Sequence, residues 1–116
     1  MSLHCEATLL VMGDSDAVAH RDVLRARRVA AVYATSPRAP AAAGLGAELE
    51  VQVSGVELHP GEGWDFIHAN ETVLQGISDL FRGETVLVLV SEPAAFKPCQ
   101  VEVGDDGWSL RSWSAG

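Results

Sequence analysis

The sequence predicts an α/β domain, a compact three-layer α/β/α arrangement around a largely parallel mixed sheet. Three observations carry that expectation. Residues 7–12, 29–34 and 85–90 are continuous apolar runs of strand length, as expected of strands buried on both faces. The chain between them is long enough for helical crossovers, and residues 65–82 carry a clear helical period. Near the end, two short segments flank an Asp105-Asp106-Gly107 turn, as in a hairpin.

The elements follow in order. Ala7-Thr8-Leu9-Leu10-Val11-Met12 runs into Gly13, a strand meeting a turn. Asp14, Ser15 and Asp16 offer N-caps for a helix over residues 16–27, with Val18, Val23 and Leu24 as its buried candidates. Val29-Ala30-Ala31-Val32-Tyr33-Ala34 is the second buried strand. Pro37 and Pro40 then limit any helix before Ala47 to a short piece. Residues 49–53 alternate apolar and polar, predicting a half-exposed strand, and residues 55–63 read as loop. In the helix over 65–82, Phe66, Val73, Ile77 and Leu80 share one face, with Ile67, Leu74 and Phe81 beside it. Asp65 can cap its start and Gly83 can end it. Thr85 to Val90 is the next strand, and residues 100–103 and 109–113 form a closing antiparallel edge.

A length of 116 residues predicts one domain over residues 1–116, and 47% apolar content suits a globular core. The formal charge of −8 disfavours nucleic acid, anionic membranes and polyphosphate ligands, which need cationic or N–H donors. Cys5 and Cys99 form no metal or disulfide pattern, so reduced thiols in a cytoplasmic protein are expected. No apolar run reaches membrane-spanning length, and no signal-peptide pattern opens the chain.

Three segments together resemble the histidine phosphatase (phosphoglycerate mutase-like) superfamily. Leu9-Leu10-Val11-Met12-Gly13-Asp14-Ser15 is similar to the strand on which that family carries Arg-His-Gly-Glu. Val32-Tyr33-Ala34-Thr35-Ser36-Pro37 is similar to its strand running into Ser-Ser-Pro-Leu-x-Arg-Ala. Gly83-Glu84-Thr85-Val86-Leu87-Val88-Leu89-Val90-Ser91 is similar to the strand before its second His-Gly. The order is the family's, and the resemblance implies a trimmed version of its fold, without the lid insertion.

The same alignment removes the family's chemistry. Val11 stands at its first Arg and Met12 at its nucleophilic His. Pro40 stands at its second Arg, with Arg38 two residues early, and Glu92 at its second His. Glu62 is the nearest match to its acidic proton donor. The phosphohistidine chemistry that the resemblance implies needs an imidazole nitrogen as nucleophile, which a thioether cannot replace. Its phosphoryl oxygens need multidentate cations such as Arg, and Val11 and Pro40 supply none. A Glu92 carboxylate about 4 Å from a phosphate charge would repel it by roughly 4 kcal/mol at an effective dielectric near 20.

The expected function is therefore non-catalytic: binding, regulation or assembly, with no cofactor or metal and an unidentified protein partner or a homodimer. An alternative is a phosphatase or mutase of small phosphate esters, working through His59, Glu62, His68 and Arg38. His59, Glu62 and His68 would also be the candidate metal cluster, set against three ordinary surface residues. Gly13-Asp14-Ser15-Asp16 resembles the Asp-x-Asp start of haloacid dehalogenase-like phosphatases, but only that first part of their motif is visible and the helix-cap reading is preferred. Asp14, Asp16 and Lys97-Pro98 resemble a degenerate receiver domain, but Ser54-Gly55 follows the third strand where a receiver has its acceptor Asp. Trp64, Trp108 and Trp113 read as covers for the core or the sheet edges, or as anchors of a protein contact.

Overall fold

The computed structural model describes residues 6–90, 97–104 and 107–113. The elements are β1 (Ala7–Gly13), α1 (Asp14–Ala19), α2 (Arg21–Ala26), β2 (Ala31–Ala34), α3 (Pro40–Leu49), β3 (Val53–Gly55), α4 (Gly63–Ala69), α5 (Glu71–Leu80), β4 (Thr85–Val90), β5 (Cys99–Gly104) and β6 (Gly107–Ser112). They form an α/β fold with one six-stranded sheet in the order β3-β2-β4-β1-β5-β6. The first four strands in that order are parallel, and β5 and β6 are antiparallel additions.

Alternation along the central strands divides the interior in two. Leu9, Val11, Val86, Val88 and Val90 meet Phe66, Ile67, Leu74 and Ile77 of α4 and α5. Leu10, Met12, Val32, Leu87 and Leu89 meet Ala17, Leu24, Ala42 and Leu45 of α1 to α3. The crossovers from β1 to β2 and from β2 to β3 thus run on one face. The return from β3 to β4 reverses direction and runs on the other, as right-handed connections require. No helix among the described residues is long and apolar enough to cross a membrane.

β4 and β5 lie within a residue of their predicted positions, β6 starts two residues earlier than predicted, and the hairpin forms the predicted antiparallel edge. Asp105 and Asp106 lie outside the described residues. Several expectations about the helices change. The helix over 16–27 is broken at His20 (φ −115°, ψ 26°), and the helix over 65–82 is broken at Asn70 (φ −121°, ψ 18°). At both breaks the N–H is shared between the carbonyls three and four residues back, which tightens the turn and lets the next helix leave at a new angle. The break shifts the helical phase, so Leu80 is 72% exposed instead of sharing a buried face with Phe66 and Ile77. The cap of α4 is Glu62 and not Asp65, and α5 ends at Leu80, before Gly83. Val18 is also exposed, whereas Leu24 is buried as expected.

The largest correction lies between β2 and β3. Pro40 begins a ten-residue helix, a place where its missing N–H costs nothing. Leu49 closes that helix, Glu50 takes the left-handed conformation (φ 57°, ψ 43°), and only residues 53–55 pair as β3. The alternation over 49–53 therefore spans a helix end and its exit. Gly46 lets α3 approach β3, since a Cβ there would overlap the Val53 side chain.

Glu50 is a non-glycine residue in a conformation that costs about 1 kcal/mol or more. Glu50→Gly is expected to raise stability by about 1 kcal/mol and the melting temperature by about 4 °C in a thermal melt.

Candidate functional site

In open α/β sheets, ligands bind beyond the carboxyl ends of the parallel strands, where successive connections leave toward opposite sides. In this protein that edge is formed by β2, β4 and β1. Gly13 is level with Val90, Ala34 is level with Leu89, and the Thr35 N–H donates to the Leu89 carbonyl at 3.1 Å. The three sequence segments singled out above, the third as far as Val90, meet along this rim.

The side chains singled out at the rim divide between the core and the solvent. Val11 and Met12 have no solvent-exposed surface, because successive residues of a buried strand point into opposite layers. Val11 packs toward α4 and α5, and Met12 toward α1 to α3. Gly13 is half-buried at the mouth and leads directly into α1, its extended backbone serving as the cap without a side-chain bond. Arg38 is exposed on the link between β2 and α3, and Pro40 is exposed at the start of α3. Glu92 lies outside the described residues.

Glu62 is exposed at the start of α4 and lines a cleft of about 370 Å³ with Gly63, Lys97, Pro98, Cys99, Leu110, Arg111 and Ser112. Cys99 is level with Val11, so this cleft opens beside the end of β1. The charges in it do not converge on one point. The Arg111 guanidinium donates to Glu102 at 2.9 Å, and that carboxylate also accepts from Gln100 and Ser109. Burial raises the Glu102 carboxyl. The Arg111 and Gln100 hydrogen bonds, the Arg111 charge and the Ser109 hydroxyl outweigh it, holding the group below its usual range.

His59 and His68 line a separate cleft of about 250 Å³ with Glu57 and Glu71, and His59 also borders a groove of about 540 Å³ that reaches Thr35. His59 and His68 are thus neighbours, while Glu62 lines the other cleft and Arg38 borders none of these spaces. No group of three His, Cys, Asp or Glu among the described residues is placed to hold a metal ion.

Between the two histidines sits an interaction that the sequence did not suggest. The buried Asn70 side chain accepts from the His59 N–H at 2.6 Å and donates to the His59 carbonyl at 3.0 Å. It also donates to the Phe66 carbonyl at 2.8 Å. An amide has the donor and acceptor needed to pair both backbone groups of one residue, so Asn70 ties the loop after β3 to the junction of α4 and α5. The only sequence signal was an amide inside a helical period, where Asn is a weak helix former.

Of the three tryptophans, Trp113 is buried, closes the cluster under α1 to α3, and meets His20 edge to face at 5.4 Å. Trp108 is half-buried against the other cluster. Trp64 is 45% exposed and stacks on the exposed His68 ring.

Comparison with protein-family models, curated proteins and solved structures found no match.

Two outcomes test this description. Asn70→Ala is expected to cost about 1–3 kcal/mol in chemical denaturation, because it strands the N–H and C=O of His59, while the Phe66 carbonyl keeps the backbone N–H of residue 70. Burial pushes the Cys99 thiol up to about 11, from 9.0. Between those values the unfolded chain has released a proton that the folded chain keeps, so stability falls as pH rises from about 9 toward 11. The loss is of order 1–2 kcal/mol after allowing for partial exposure, and Cys99→Ala removes that component of the slope.

Proposed function

We propose that this chain is a trimmed, catalytically silent domain of the histidine phosphatase kind, with a binding or assembly role in place of phosphoryl transfer. The observation that carries the reading is the burial of Val11 and Met12. The three segments similar to that family end on one rim, and the residues at its Arg and nucleophilic His positions point into the core.

The chemistry at the rim supports the same conclusion. A phosphohistidine cannot form on a thioether that is packed beneath the sheet surface. A phosphate at the end of β1 would find neither of the guanidinium forks expected at Val11 and Pro40. The alternative enzyme reading needs His59, His68, Glu62 and Arg38 around one substrate. The first two share a cleft, and neither Glu62 nor Arg38 lines it.

A thermal-shift titration with phosphate and vanadate tests the proposal. An intact anion site at a hundred times its dissociation constant adds about 2.7 kcal/mol, which raises the melting temperature of a domain this size by several degrees. The expected outcome is no saturable shift, with no hydrolysis of an aryl phosphate. A saturable shift, or hydrolysis that disappears on one histidine substitution, would overturn it.

A further inference from the structure

We propose that the outer edge of β6 is a self-association surface, and that its partner is a second copy of this chain related by a two-fold axis through Leu110. This names the partner for the assembly role proposed above and rests on that reading for its purpose, though not for its geometry.

The argument begins with backbone direction. The Trp113 N–H donates to the Pro98 carbonyl across the β5–β6 ladder at 3.2 Å. The N–H and C=O of one strand residue point the same way, and the direction alternates along the strand. Odd-numbered residues of β6 therefore pair with β5. The N–H and C=O groups of Trp108, Leu110 and Ser112 face away from it. β6 is the last strand of the sheet, so among the described residues no strand receives them.

Native edge strands are usually blunted by proline, bulges or inward charges. β6 has an unbroken register with β5 over its whole length and contains no proline. Its one charge, Arg111, is paired with Glu102 inside the chain.

The strand is also complementary to itself. Two outward-facing sets can bond only if even residues meet even residues. The register with the greatest overlap places Leu110 opposite Leu110 of the second copy, and Trp108 opposite Ser112 of the second copy. It forms about six ladder hydrogen bonds. Leu110 and Trp108 belong to the apolar face under α4, so the apolar rows join. Ser109 meets Arg111 of the second copy on the other face, where Glu102 and Gln100 continue a polar row. Gly63 approaches Leu110, and the exposed Trp64 follows it at the start of α4, next to the same edge. The contact is short for a protein interface, so the dimer is weak and its formation depends on concentration.

Sedimentation and backbone amide exchange of the full chain, from low micromolar to millimolar protein, test the proposal. The average mass should rise from 12.3 kDa toward twice that value. The amides of Trp108, Leu110 and Ser112 should become protected as it does, while those of Ser109 and Arg111 are protected throughout. Ser112→Pro removes an outward donor from an exposed position without touching the β5 ladder, and should weaken association about tenfold. Leu110→Lys puts like charges on the axis and should have at least that effect. A chain that stays monomeric at millimolar concentration overturns the interface, including the case in which a different protein supplies the strand. So does a dimer that forms without protecting those three amides, or one that survives both substitutions in variants with native circular dichroism. Aryl phosphate hydrolysis is the separate readout. An inactive monomer leaves the non-catalytic reading in place, and an active dimer removes that reading but not the interface.

Discussion

The structure depends on β4 being buried on both faces between two strands that precede it in the chain. It pairs in parallel with β1 on one side and with β2 on the other. Its valines fill the layer beneath α4 and α5, and its leucines fill the layer beneath α1 to α3. From Val86 to Val90 such a strand cannot carry a charged or hydrogen-bonding side chain without burying it unpaired. Functional groups are thereby pushed to the strand ends, the loops and the late hairpin. The same burial holds β1, its neighbour, to apolar residues from Leu9 to Met12.

That constraint bears on which side chains the end of β1 can carry. An Arg or His at the end of β1 would have to leave the plane of a strand that is sealed above and below. Val11 and Met12 accept the seal, and each contributes apolar surface to its own layer, worth about 1.5–3 kcal/mol for a side chain of this size. Both positions serve packing. What polar organisation remains is turned elsewhere, to the Asn70 tie on one side and the Glu102 and Arg111 pair on the other. Neither encloses a reactive group. One fastens a loop and the other orders the exposed face of a hairpin.

Much of the fold was legible because buried strands write themselves as uninterrupted apolar runs. Thr85 to Val90 could hardly be anything else, and the Asp-Asp-Gly turn located the hairpin. The helices were less legible for a definite reason. His20 and Asn70 interrupt their helices by turning toward tertiary partners, the Trp113 ring and the His59 backbone, and no local period encodes a partner far along the chain. Leu80 was misplaced because its phase was projected through such an interruption. Residues 49–53 misled because a left-handed exit at Glu50 produces the same apolar alternation as a strand. At the candidate site, the convergence of the three segments could be anticipated from their order. The separation of Glu62 from His59 and His68 could not, since it depends on how the loop after β3 is tied down.

The position of β4 also sets a timetable for synthesis. β1 and β2 share no ladder, so a nascent chain that ends before Thr85 contains the rims of a sheet without its middle. Until then only the short β2–β3 pair can form among the parallel strands, and two apolar strands wait with open edges. Pairing across such sequence distances is slow, and waiting edges favour contact with other chains. Emergence of β4 from the ribosome is therefore the event that commits these strands to their sheet.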